Sequence, residues 1–251
     1  MLKRISLRTI ILLALVAYCL TLIWTLPAVV VWQRLEHRLP VPVTLHGLSG
    51  TLWSGQVTRM QVNGIDQGGL RWQWLPMSLL HGKLGLDLLW QPRNSKVAAR
   101  VSAGFNSLKL SDITGSIDAA SMAVVHNAPF VLRGTWLLDI PELSLRDFAA
   151  VTSADGRVVW QDAAGGLPQP LQLGHLTATL GAAQDRLVLA LQDAGGPLGL
   201  QGDARWQPGQ PMLLDVRLQA RPDAERGLVD GLGLLGRPDA QGWVHWQQQL
   251  Q

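Results

Sequence analysis

The chain is poor in the residues from which reactive sites and disulfide frameworks are built. It has one cysteine, Cys19, inside an apolar run, so no intrachain bridge and no thiolate metal site can form. Charge is scarce too: Asp, Glu, Lys and Arg make up 16% of residues, against about 25% in ordinary soluble domains. Lys3, Arg4 and Arg8 precede every acidic residue, and with these three set aside 18 basic residues face 18 acidic ones. A neutral body lacks the electrostatic footprint of a nucleic-acid binder, so no nucleic acid is expected as partner. Such a surface suits work beside a membrane or inside an assembly.

Motifs that carry chemistry are missing as well. His37, His46, His81, His126, His175 and His245 are scattered, with no i, i+3 or i, i+4 pair to make a metal face. Ser54 lies in Trp-Ser-Gly rather than in the G-x-S-x-G of a nucleophile elbow. The glycine-rich pieces at 162–166 and 193–196 lack the Lys-Ser/Thr of a phosphate loop and read as turns. Acidic residues never fall in D-x-D or a calcium-loop spacing. No catalytic residue, cofactor or metal is expected; the polar inventory points to binding or scaffolding.

What the chain does have is one long hydrophobic run. From Thr9 to Trp32 there are 24 residues without a charge, enough as helix to cross a hydrocarbon core of about 30 Å. Even if Pro27 ends the helix at Leu26, about 27 Å remains. A cleaved signal peptide fits less well, because the small-x-small site Ala17-Tyr18-Cys19 falls in mid-run, and Tyr18 is too bulky to precede a lipoprotein cysteine. The expected organisation is a cytoplasmic basic tail (1–8), a transmembrane helix (9–32) with Trp32 at its interfacial edge, a linker (33–42) and a β-rich domain (43–251). The basic residues ahead of the run place the N-terminus in the cytoplasm and the bulk of the chain on the far side.

After the prolines at 40 and 42, period-two patterning takes over. Leu70, Trp72 and Trp74 alternate with Arg71 and Gln73, and Leu84, Leu86, Leu88 and Trp90 follow. Between them Pro76 can open and Gly82 can close a short helix. Asn63-Gly64 and Gly68-Gly69 supply tight turns. Short strands are expected within 97–131, whereas 141–151 fits a strand or a helix face equally. Leu198 to Trp206 and Leu214 to Ala220 make a hairpin, and a short helix within 223–235 precedes a last strand over 242–246. Gly156-x-x-x-Trp160, Gly202-x-x-x-Trp206 and Gly242-x-x-x-Trp246 suggest a repeated unit in which glycine makes room for an indole, although three matches also arise by chance.

The stretch GLSGTLWSG (Gly47, Gly50, Thr51, Leu52, Trp53, Ser54, Gly55) opens the folded region. Its glycines are expected to bend the entering strand, Thr51 to Trp53 to begin the pairing strand, and Gly55 to allow a close approach. Were the Trp53 ring buried, Trp53→Ala would cost about 3–5 kcal/mol. This stretch, the run from Trp72 through Trp74, Pro76 and Gly82 to Leu84, the GRVVW ending at Trp160, and the GGPLGLQGDARW with Gly202 and Trp206 together resemble the protein N family of the type II secretion system. The resemblance implies a single-pass protein of the bacterial inner membrane with a periplasmic domain. It also implies a non-enzymatic accessory role in exporting folded proteins across the outer membrane, with other inner-membrane subunits and the secretin as partners. A weaker likeness, of fold type only, is to AsmA-like periplasmic proteins whose curled sheets handle lipid; strands apolar on both faces, such as Leu187 to Leu191, favour it. The expected fold is mainly β: an N-terminal transmembrane helix, then an antiparallel sheet domain, curled into a groove or folded as a sandwich, with one to three short helices.

Overall fold

The computed structural model describes residues 13–15, 17–18, 21–22, 24–36, 42–92, 95–122, 131–166 and 169–250. The chain divides into two compact units, Met1–Trp74 and Leu75–Gln251.

In the first unit the described residues of the apolar run are helical as far as Trp24. Thr25 ends this stretch, its N–H and its hydroxyl both donating to the Thr21 carbonyl at 2.9 Å. Pro27 is extended (φ −67°, ψ 136°) and bridges to Thr51, and a separate helix, α1 (Ala28–Leu35), begins after it. The single helix expected over 9–32 is therefore interrupted at Thr25–Pro27, because a proline has no N–H to continue the ladder. Trp32 rides on α1, and α1 carries Gln33, Arg34 and Leu35 into the segment expected as linker. No helix among the described residues is long and apolar enough to cross a membrane. The basic tail 1–8, Cys19, His37, His126 and the rest of the linker as far as Val41 lie outside the described residues.

Among the described residues of this unit there are six short strands. β1 (Val43–His46), β4 (Arg59–Val62) and β5 (Ile65–Asp66) pair in the order β1-β4-β5, while β2 (Ser49–Gly50), β3 (Ser54–Val57) and β6 (Gly69–Leu75) pair in the order β2-β3-β6. Asn63 and Gly64 take φ of 50° and 77°, the left-handed pair that a tight β4–β5 hairpin needs.

The second unit starts with a 3-10 helix, Pro76–His81, closed by Gly82 at φ 67°, whose N–H donates to the Leu79 carbonyl at 2.9 Å. Ten strands follow: β7 (Leu84–Gln91), β8 (Lys96–Ala103), β9 (Ser107–Asp118), β10 (Val131–Arg146), β11 (Ala150–Gly166), β12 (Leu171–Ala183), β13 (Arg186–Asp193), β14 (Leu198–Trp206), β15 (Met212–Ala220) and β16 (Val244–Leu250). Each pairs antiparallel with its sequence neighbours, giving a single meander. One sheet in chain order is not the sandwich of two separate sheets that the patterning also allowed. The region 97–131 builds longer strands than its polar sequence indicated, and 141–151 is strand rather than helix apart from the turn at 147–149. Pro141 is tolerated inside β10, between two partner strands, because the register against β11 slips between Asp139 and Glu142. A bulge there removes the need for its missing donor.

Register puts one face of this sheet in contact with apolar neighbours from strand to strand. Leu86 faces Val101, Val101 faces Leu110 and Leu110 faces Leu143; further on, Leu180 faces Leu189, Leu189 faces Ala204 and Ala204 faces Leu214. The opposite face carries the polar alternates, such as Arg100, which pairs with Asp87 at 2.8 Å and Asp112 at 3.1 Å. Two buried clusters form on the apolar side. Leu145, Val151, Leu180 and Leu187 make one, while Leu198, Val216 and Leu218 make the other with Leu228 and Leu232 of helix α3 (Arg226–Leu235). A shorter helix, α2 (Ala119–Met122), follows β9.

One latch closes the β13–β14 turn onto β15. Asp193 accepts N–H groups from Leu200 at 2.9 Å and Gly195 at 3.4 Å and pairs with Arg221, which also donates to the Gly196 carbonyl at 3.0 Å. Burial alone would push this carboxyl up, but the backbone donors and the guanidinium together hold it below its ordinary value. Its stabilisation is thus complete above the unfolded value of about 3.9 and is lost as pH falls through the depressed native value. Asp193→Ala is expected to cost about 1–3 kcal/mol at pH 7. Urea unfolding should show the gap between wild type and variant closing as the pH is lowered below about 4.

Candidate functional site at a tryptophan corner

GLSGTLWSG forms a corner rather than a pocket. Gly50 (φ 96°) ends β2, and a Cβ there would lie 2.4 Å from the Ser54 carbonyl oxygen, so only glycine fits. Thr51, Leu52 and Trp53 form the turn, and β3 begins only at Ser54, later than the sequence suggested. The side chain of Thr51 decides this: its hydroxyl oxygen accepts N–H groups from Trp53 at 3.3 Å and Ser54 at 3.2 Å, satisfying donors that a strand would have used. Gly47 (φ 65°) abuts Thr58 in the preceding bend. Gly55 sits under the Trp72 ring, where a Cβ would come within 2.4 Å of it, and the Trp72 indole N–H donates to the Leu52 carbonyl at 3.0 Å.

Three indoles meet at this corner. Trp53 and Trp74 have ring centroids 5.0 Å apart, and Trp24, from the apolar run, lies 5.2 Å from Trp74 and 6.3 Å from Trp53. Backbone bonds reinforce them: Leu52 N–H donates to the Leu26 carbonyl at 3.0 Å, and Trp74 N–H to the Trp53 carbonyl at 2.7 Å. Trp53 is half-buried, whereas Trp74 is 9% exposed and forms the centre of the cluster. The end of the apolar run is thereby fixed to the first folded corner of the same unit. Trp24 was not among the residues singled out from sequence; its position three residues before Pro27, where the chain must turn out of helix, was the available signal.

The remaining predicted residues do not join this site. Pro76 and Gly82 bound the 3-10 helix of the second unit. Trp160, on β11, stacks on Trp136 with centroids 4.7 Å apart and donates its indole N–H to the Arg133 carbonyl at 3.0 Å. Gly202 and Trp206 lie on β14. The glycines of the proposed repeat do not make room for indoles: a Cβ on Gly156 would strike Ile140, one on Gly202 would strike Asp215 and Val216, and Gly242 precedes β16 in a bend. Of the two glycine-rich pieces read as turns, 193–196 is one, whereas 162–166 belongs to β11, kinked at Asp162 (φ 47°).

On the polar face of the sheet Asp203 lies opposite Asp215, and Asp215 opposite Gln247. A shallow groove of about 400 Å³ is lined by Asp203, Arg205, Asp215 and Gln247 among others. Beside it the His245 ring nitrogen lies 2.6 Å from Asp215, and this bond, with one from Gln247, lowers the Asp215 carboxyl below its usual value. Both side chains are about half exposed, which makes this a solvated pair. No group of three or more His, Cys, Asp or Glu placed to hold a metal occurs among the described residues.

The model of a protein family described as "Type II secretion system (T2SS), protein N" matches residues 42–247. The chain belongs to the type II secretion system protein N family. Its type II secretion system protein N relative from Aeromonas hydrophila is 32% identical over 241 residues, covering 92% of each chain. The Vibrio cholerae serotype O1 protein of that name is 28% identical over 242 residues, covering 90% of this chain and 91% of its own. No solved structure matches the chain. The family model's match covers the β-rich body, including the tryptophan corner from Gly47 onward.

Trp74→Ala is expected to cost about 3–5 kcal/mol, and Trp53→Ala less because its ring is half in solvent. Urea titration of the full chain, followed by tryptophan emission, should rank the two in that order.

Proposed function

We propose that this chain is an inner-membrane-anchored accessory component of the type II secretion system. It acts through protein–protein contacts in the export of folded proteins from the periplasm across the outer membrane. The match of the family model to 42–247 carries this reading. On it, the charge-free run at 9–32 holds the protein in the membrane, residues 1–8 lie in the cytoplasm, and the sheet works in the periplasm beside other inner-membrane subunits and the secretin. The tryptophan corner then serves as the join between anchor and body, and the sheet is the contact surface. Photocrosslinking from the periplasmic face in cells that carry the secretion system should capture secretion subunits. Capture of unrelated envelope proteins alone would overturn the reading.

A second reading is favoured by one observation. The apolar face of the ten-stranded sheet is only half-buried over much of its extent, including Leu86, Leu88 and Trp90 of β7 and Val101 of β8. In an AsmA-like role such a face would bind an acyl chain. Phospholipid retained at constant stoichiometry through detergent exchange of the full chain is the outcome that supports it. Loss of all lipid with the sheet intact would rule it out.

A further inference from the structure

One end of the second unit carries large apolar side chains where loops are usually polar. Leu84 pairs with Ala103, Ala103 with Leu108, and Arg146 with both Ser107 and Ala150, so the 3-10 helix, the β8–β9 turn and the β10–β11 turn all lie at this end. Their tips expose Met77 (73%), Leu80 (79%), Phe105 (97%) and Phe148 (52%). The tips are contiguous: a Cβ on Gly104 would lie 3.7 Å from the Lys83 stem, and Asp147 N–H donates to the Asn106 carbonyl at 2.8 Å. With strands about 4.8 Å apart, the rim from β7 to β11 is roughly 20 Å wide. Phe148 also holds φ 56°, a left-handed backbone that turns normally give to Gly or Asn. The next tips at the same end are polar, with Gln184 and Asp185 between β12 and β13 and Gln207 to Pro211 between β14 and β15. Val229, Leu234 and Leu235 of α3 are exposed as well, but on a helix that has already buried Leu228 and Leu232 against the sheet.

We propose that this rim is a second membrane contact, inserting Leu80, Phe105 and Phe148 into the interfacial layer of a bilayer. The proposal rests on the reading of 9–32 as a membrane anchor. Chain continuity singles out the bilayer as occupant: the 3-10 helix opens at Pro76, two residues after Trp74, and Trp74 packs on Trp24 of the apolar run. The chemistry agrees. Single Phe, Leu and Met side chains on projecting tips suit insertion among acyl chains, with Lys83 laid along the rim so that its ammonium reaches the headgroups. A protein partner would more typically be met by Trp, Tyr or Arg in a packed patch with a polar rim. Lys83 and Asp147 nearly balance, and Arg146 is paired with Asp185 at 3.3 Å, so binding should not need anionic lipid.

The test uses the full chain in a Cys19→Ser background, reconstituted into phosphatidylcholine vesicles doped with nitroxide-bearing phosphatidylcholine. Single substitutions Leu80→Cys, Phe105→Cys and Phe148→Cys carry an environment-sensitive fluorophore, with Gln210→Cys as the polar-tip control and Leu15→Cys reporting on the anchor. The first three probes should shift to the blue and lose most of their emission to nitroxide, while the Gln210 probe keeps its own. If they behave like the Gln210 probe while the Leu15 probe is quenched, the anchor stands and the rim proposal falls. An unquenched Leu15 probe removes the anchor and the proposal with it. A blue shift without quenching means that protein, such as a second copy of the chain, covers the rim, and this too overturns it.

Discussion

The constraint on which the large unit depends is that every strand pairs only with its neighbours in sequence. Such a meander makes one sheet, and one sheet has two faces. Alternation hands the apolar set to a single face from β7 through β16, and α3 covers only the part built from β12 to β16. Cores made in this way are distributed: two clusters of a few buried residues each, ringed by half-buried ones, instead of one closed interior. The arrangement leaves apolar surface in contact with the surroundings, which fits a protein that works inside an assembly or against lipid better than one that diffuses freely.

Against that extended sheet, the small unit is organised by a local interaction. Thr51 draws two backbone N–H groups to its hydroxyl, which makes the chain turn where a strand would have continued. The turn brings Trp53 beside Trp74, and Trp24 completes the cluster. The helix break at Pro27 belongs to the same device, since the extended backbone it enforces is what allows a bridge to Thr51 and a bond from Leu52 to Leu26. Sequence, turn chemistry, aromatic packing and the placement of the apolar run are one causal chain.

Much of this was legible before the fold was known. Strict alternation found β6, β7, β14 and β15, and the glycine and proline punctuation found the 3-10 helix and the β4–β5 hairpin. What escaped had physical reasons. β9 to β11 run 12 to 17 residues through bulges at which the period of two breaks, so the pattern fades where the strands are longest. The Gly-x-x-x-Trp spacing misled because Gly156 and Gly202 make room for neighbouring backbone and not for indoles. At the corner, Trp24 was not among the residues singled out, because its partners are distant in sequence, and the start of β3 was misplaced because side-chain capture of the backbone by Thr51 leaves no trace in hydropathy.

The proposed function requires the apolar run to hold the chain in a membrane with the whole sheet on the far side from the cytoplasm. The most direct measurement is reaction of a membrane-impermeant maleimide with Gln210→Cys, in a Cys19→Ser background, in spheroplasts before and after lysis. Full labelling before lysis is the expected result. Labelling only after lysis would place the sheet in the cytoplasm and contradict it.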